Sequence, residues 1–117
     1  MDQIIVHLAS ATICFLGACH PALVGKATPA GSYDVTWRSV VSPGYGGDVL
    51  QFSEDAEGIY AIHRVWTLKP EQQRVLRLTK GAVSDRRNIT GGCINVMPEV
   101  YRQLLDCCSR GRLTVED

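Results

Sequence analysis

Thr90-Gly91-Gly92-Cys93-Ile94-Asn95-Val96 sets a thiol directly behind two glycines and ahead of an apolar, strand-like end at Ile94 and Val96. Glycine lacks the Cβ that forbids sharp bends and close approach, so a side chain behind such a pair can be offered to a ligand. Backbone N–H groups in such a turn can also hold charge that develops on an attacked carbonyl oxygen. A thiol placed this way reads as a nucleophile, and it needs a base or a neighbouring cation to form its thiolate near neutrality. Histidine serves either role. Three histidines are available. His7 lies inside a strand-like run and His20 precedes Pro21 in a turn, which makes both structural or surface residues. His63 ends the run Ile59-Tyr60-Ala61-Ile62 ahead of a long polar stretch, a strand end from which a catalytic side chain can be delivered. Cys93 as nucleophile and His63 as base is the pair that follows.

Outward from this segment the chain reads as mainly β. Gln3 to Phe15 is rich in Ile, Val, Thr and Phe, giving two strands or one bent strand, and Cys19 to Gly25 is a further short apolar run. Thr28-Pro29-Ala30-Gly31 is a turn, since proline fixes one dihedral and glycine frees another. From Ser32 to Val41 the residues Tyr33, Val35 and Trp37 alternate with Asp34, Thr36 and Arg38, the period of one half-buried strand. Ser42 to Asp48 is a glycine-rich loop. Val49 to Phe52 and Ile59 to Trp66 are strands joined by the acidic turn Ser53 to Gly58. Thr67 to Asn88 is polar, with a helix able to begin over Pro70 to Leu78. The principal helix starts at Pro98, with Glu99 in its first turn, and Val100, Tyr101, Leu104 and Leu105 at helical spacing; Gly111 follows its end. A single domain over residues 1–117 is expected, a compact β-sandwich or barrel-like body with one C-terminal helix.

Composition narrows the function classes. An apolar share of 45%, a charged share of 21% and a formal net charge of zero describe an ordinary globular chain with no global field for nucleic acid or an acidic membrane. Lys69, Arg74, Arg77, Lys80 and Arg86 cluster between Arg64 and Arg87, a solvated loop face, with an anionic substrate as the lesser alternative. The five cysteines leave one thiol over even if the rest pair. Cys14, Cys107 and Cys108 read as small buried hydrophobes or incidental thiols, and no CxxC spacing suggests a metal site. Leu16-Gly17-Ala18-Cys19 looks like a lipoprotein cleavage box. The chain opens Met1-Asp2-Gln3 instead of with positive charge, and Ser10 and Thr12 interrupt the apolar run. The run is also too short to span a bilayer, so Ile4 to Cys19 is expected to be part of the fold and no signal peptide is evident.

Ile62-His63 followed by Arg86-Arg87-Asn88-Ile89-Thr90-Gly91-Gly92-Cys93-Ile94-Asn95-Val96 resembles the L,D-transpeptidase catalytic domain, the YkuD-type family of bacterial cell-wall enzymes. The family signature has a histidine after an apolar strand, then Ser or Thr, His, Gly, Cys, an apolar residue, and Asn or Arg. Thr28-Pro29-Ala30-Gly31 ahead of Tyr33 resembles the family's Thr-Pro-x-Gly turn, and Ile4 to Ser10 resembles its first strand. The family usually has histidine where this chain has Gly91 and Gly or Ser where it has Arg64, and the stretch from His63 to Cys93 is long for the family, a loop that could serve as a lid.

The resemblance implies a cysteine-dependent peptidoglycan transpeptidase acting on stem tetrapeptides through a thioester, in the periplasm or cell envelope. Its acceptor would be a second stem, a free D-amino acid or water. Cys93 would be the nucleophile and His63 the base. Gly92 and Cys93 would supply oxyanion donors, Asn95 would orient the loop or substrate, Thr90 and Gly91 would line the site, and Arg64 would bind a carboxylate. Peptidoglycan stem peptides are the expected partner, with no cofactor, metal, nucleic acid or membrane span. Two alternatives stand beside this reading: a secreted antibacterial effector trimming walls by the same chemistry, and a non-catalytic wall-binding module.

Overall fold

The computed structural model describes residues 3–117; Met1 and Asp2, which entered the argument about the start of the chain, lie outside the described residues. The opening apolar run folds as a hairpin of β1 (Gln3–His7) and β2 (Thr12–Phe15), with β3 (Ala18–Pro21) added antiparallel to β2. The Leu16 to Cys19 box is thus the turn and first half of a strand. Cys14 and Cys19 stand directly opposite each other in that ladder and form a disulfide. A second disulfide joins Cys107 to Cys108, which leaves Cys93 as the free cysteine. Reading Cys14, Cys107 and Cys108 as unpaired is corrected by these pairings.

The alternating segment from Ser32 is not one strand. It divides at Val35 into β4 (Gly31–Asp34) and β5 (Thr36–Ser39), which belong to different sheets. Val35 is buried at the crossing and its N–H donates to the Gly111 carbonyl at 3.0 Å. Beyond that switch Trp37 turns outward and is 51% exposed, so the inward face expected of Tyr33, Val35 and Trp37 holds only as far as the crossing. β6 (Asp48–Asp55) and β7 (Gly58–Arg64) form the long hairpin around the acidic turn, and β8 (Ile94–Val96) runs parallel to β7.

The polar stretch between β7 and β8 folds into a 3₁₀ turn at Pro70–Gln72 and two helices, α1 (Arg74–Lys80) and α2 (Val83–Arg86). It is pinned down instead of hanging free as a lid. Leu78 packs with Leu23 and Val65, and the buried Arg86 guanidinium donates to the carbonyls of Ser10, Ala11 and Gly81. α3 (Pro98–Cys108) buries Val100, Tyr101 and Leu104, and the final strand β9 (Arg112–Glu116) follows it.

The strands form two sheets, ordered β3-β2-β1-β9-β4 and β5-β6-β7-β8. Each mixes parallel and antiparallel pairs: β9 is parallel to β1 and antiparallel to β4. One core collects Ile4, Val6 and Ile13 from the first sheet, Leu50, Ile62 and Ile94 from the second, and Tyr101 and Leu104 from α3. No helix among the described residues is long and apolar enough to cross a membrane.

Candidate active site

Strand parity decides which side chains can meet. Successive residues of a strand point to opposite faces, and in β7 Tyr60 and Ile62 join the core while Ala61 and His63 line a cavity on the other face. His63 is paired with Asn95 of β8, and Cys93 lies two residues before Asn95. The odd-numbered positions therefore converge on one outer patch. Arg64, one step on from His63, is sent the opposite way. Its guanidinium sits 4.4 Å from the centroid of the Tyr101 ring and donates to Asp48 at 3.0 Å and to the Tyr45 carbonyl at 3.2 Å. Arg64 is thus committed to a carboxylate of its own chain, and the expectation that it binds one from a substrate is corrected.

The Cys93 turn is held from two sides. Thr90 Oγ1 donates to the Cys93 carbonyl at 2.7 Å and accepts from the Gly92 N–H at 3.1 Å. From across the fold the buried Thr28 hydroxyl donates to the Gly92 carbonyl at 2.9 Å while accepting from the Gly25 N–H. Gly92 adopts φ of 129°, and a β-carbon there would run into the Tyr60 ring. Glycine is required on both counts. With its N–H taken by Thr90, Gly92 offers no free donor, whereas the Cys93 N–H has no protein acceptor among the described residues. Gly91 lines the cavity, and a β-carbon added to it would meet open space.

The protonation states follow from the bonding. His63 Nδ1 lies 2.6 Å from the Arg64 carbonyl oxygen, which can only accept, so Nδ1 carries the hydrogen and Nε2 keeps the lone pair. Asn95 Nδ2 donates to that nitrogen at 3.4 Å. The orientation of the Asn95 amide is fixed in turn, because its Oδ1 accepts from the Trp66 N–H and from Arg74 Nη1, both at 3.0 Å. Asn95 is wholly buried and its backbone is clamped to Leu23. It therefore steers His63, and it also forms part of the wall of a cavity beside Cys93. Burial pulls the His63 pKa from 6.5 down to about 4, with Arg74 pushing the same way and the Arg64 carbonyl opposing. Burial likewise raises the Cys93 thiol, against a backbone hydrogen bond from Ala61 and the Arg74 charge. The resting pair is a thiol and a neutral imidazole.

Two cavities meet at this pair, sharing Cys93, His63, Tyr45 and Ile59 as walls. One, of about 210 Å³, runs over β5 to β7 past Arg38, Gln51 and Ala61. The other, of about 290 Å³, is bounded by Trp66, Arg74, Thr90 and Gly91. Tyr45, Arg74 and Thr28 were not among the site residues expected from the sequence. Tyr45 sets its ring edge-on to His63 at 4.7 Å between centroids, and the signal for it was a lone aromatic in a glycine-rich loop. Arg74 belonged to the basic cluster assigned to solvent. Thr28 was read only as part of a turn.

No protein-family model matches the chain, and no curated protein is significantly similar to it in sequence. Its fold is that of L,D-transpeptidase catalytic domains. L,D-transpeptidase 3 from Mycobacterium tuberculosis, in complex with a faropenem-derived adduct, superposes with a TM-score of 0.70 at 14% identity, over 99% of this chain and 60% of that one. An L,D-transpeptidase from M. tuberculosis H37Rv gives 0.67 at 17% identity, over 99% and 57%. The catalytic domain of the E. faecium L,D-transpeptidase gives 0.58 at 18% identity, over 98% and 96%. The chain thus spans about three fifths of the two mycobacterial proteins and nearly all of the isolated catalytic domain.

Proposed function

We propose that this chain is a cysteine-dependent peptidoglycan L,D-transpeptidase that acts on stem tetrapeptides through a thioester acyl-enzyme. The observation that carries the reading is the free Cys93 and the neutral His63 lining the same two cavities, on the fold of L,D-transpeptidase catalytic domains. Its substrate belongs to the cell envelope.

Because the resting pair is neutral, proton transfer accompanies attack. His63 Nε2 takes the Cys93 proton as sulfur bonds to the carbonyl carbon between diaminopimelate and the terminal D-alanine. The carbonyl π pair moves onto oxygen, where the unpartnered Cys93 N–H can receive it. Collapse restores the C=O bond and breaks the C–N bond, and the imidazolium returns its proton to the departing amine, releasing D-alanine and leaving the thioester. An amine of a second stem, a free D-amino acid or water then attacks that thioester. His63 takes the attacker's proton and gives it to the departing sulfur. The product is a cross-link, an exchanged stem or a tripeptide according to the acceptor.

The test uses a carbapenem as acylating probe. Intact-mass measurement should show one adduct on the wild-type protein and none on Cys93→Ala, and an unmodified wild type or an equally modified variant overturns the reading. In parallel, His63→Ala should abolish D-alanine release from a defined tetrapeptide muropeptide while the protein stays folded. Substitution of His7 or His20 should change it little.

A further inference from the structure

Three guanidinium groups lie near the site, and their surroundings differ. Arg64 faces away and is neutralised by Asp48. Arg38 is exposed on the edge strand β5. Arg74 is fixed: Nε donates to Gln72 Oε1 at 2.7 Å, Nη1 donates to Asn95 Oδ1 at 3.0 Å, and the group lies 5.0 Å from the Trp66 ring centroid. All of these partners are neutral. Among the described residues no carboxylate comes within ion-pair distance of it, and its Nη2 donates to no protein acceptor. A wall of the cavity beside Cys93 therefore holds an oriented, uncompensated positive charge with one donor edge free, the arrangement that binds a carboxylate.

We infer that Arg74 is the specificity residue that receives the free carboxylate of the substrate in the cavity bounded by Trp66, Thr90 and Gly91; this rests on the acyl-transfer reading above. In a peptide ending in D-alanine the carboxylate lies two bonds beyond the scissile nitrogen. Seating it on Arg74 therefore places the carbonyl between the two cavities, over Cys93. The opposite cavity fits the rest of the stem. Its wall includes Gln51, whose amide side chain is of the kind that pairs with a peptide group. The inference also accounts for an otherwise unhelpful charge. Arg74 lowers the basicity of His63 in the empty site, and a carboxylate bound to it cancels that effect as the substrate arrives.

The test compares a stem tetrapeptide ending in D-alanine with the same peptide ending in D-alaninamide, on wild type, Arg74→Ala and Arg74→Lys, with folding checked by thermal melting. Wild type should favour the acid by about 100-fold in kcat/KM. Arg74→Ala should lose that preference chiefly by losing the acid, and Arg74→Lys should keep part of it. An Arg74 that merely supported Asn95 would slow both peptides equally and leave their ratio intact, which overturns the inference, as does a wild type indifferent to amidation. Equilibrium binding of both peptides to Cys93→Ala, with and without Arg74→Ala, separates this from the parent reading. An Arg74-dependent preference for the acid without wild-type turnover sinks the catalytic reading and leaves the inference standing. Turnover without discrimination does the reverse, and absence of both binding and turnover overturns both.

Discussion

His63 is buried to 3% exposure yet must titrate during a reaction, and the cost of that placement can be measured in the resting protein. In the unfolded chain an imidazole takes up a proton as pH falls through about 6.5, whereas in the fold it stays neutral until about 4. Between those values the unfolded state binds the extra proton. Stability from this group is therefore complete above pH 6.5, declines as pH drops through the window, and levels off below about pH 4, for a loss of about 3 kcal/mol. Denaturant unfolding at pH 7 and pH 4.5 should show a much smaller acid loss in His63→Gln than in wild type, and equal losses would mean that the ring is solvated. Cys93 and His63 could be picked out from the sequence as candidates because their chemistry is local: a thiol behind glycines and a histidine at a strand end. The role of Asn95 was not, since it depends on register with His63 across a parallel pair of strands. Nor was the fate of Arg64, although parity within the single run Ile62-His63-Arg64 already implied that it points away from its neighbour.

At the scale of elements, the connection from β7 to β8 explains how a polar stretch becomes part of the site. Its helices α1 and α2 are short, and isolated helices of such length do not persist in water. They are held from outside, by Leu78 against Leu23 and Val65 and by Arg86 against the carbonyls of the β1–β2 turn. Arg86→Leu removes every donor and leaves the part-buried Ser10 and Gly81 carbonyls without this partner, while the Ala11 carbonyl keeps its bond from the Ala22 N–H, at a cost of about 2–3 kcal/mol. Because Arg74 rides on the same segment, faster amide exchange over residues 74–86 should accompany the loss of stability. Unchanged exchange there would show that Arg86 does not anchor the segment. In the sequence this stretch is simply polar, because the Arg86 anchoring bonds reach residues 75 and 76 positions away. Ser32 to Val41 reads as one strand for a related reason: alternation continues through Val35 while the backbone changes sheets, and periodicity carries no information about which sheet a strand joins.

At the scale of the whole molecule, a strand that received no sequence assignment lies inside its sheet, and His20 and Pro21, read as a turn, belong to the edge strand β3. β9 lies between β1 and β4, and the side chains of Leu113 and Val115 point into the core. The apolar alternation of Arg112 to Glu116 was present in the sequence, but five residues after a helix end are a short sample. Leu113 is fully buried, and Leu113→Ala should cost about 2–5 kcal/mol by removing buried methyl groups and leaving a void. Denaturant midpoints would measure it, and a shift under about 0.5 kcal/mol, the range of surface substitutions, would place Leu113 outside the core. The overall class, two β layers with one main helix, was readable because it rests on period-two runs distributed along the chain. The order of strands within the layers depends on pairings that no single run contains.

That order also sets a timetable for synthesis. A ribosome makes β1 well before β9, together with the hairpin partner that covers one of its edges. The other edge waits until residues 112–116 have emerged, since β9 pairs with β1 over Gln3 to His7. While the residues between β2 and β9 are being made, the apolar strand Ile4-Ile5-Val6 presents a row of unpaired backbone groups, the kind of edge that invites pairing with another chain. Slow elongation between β2 and β9 therefore prolongs exposure of β1.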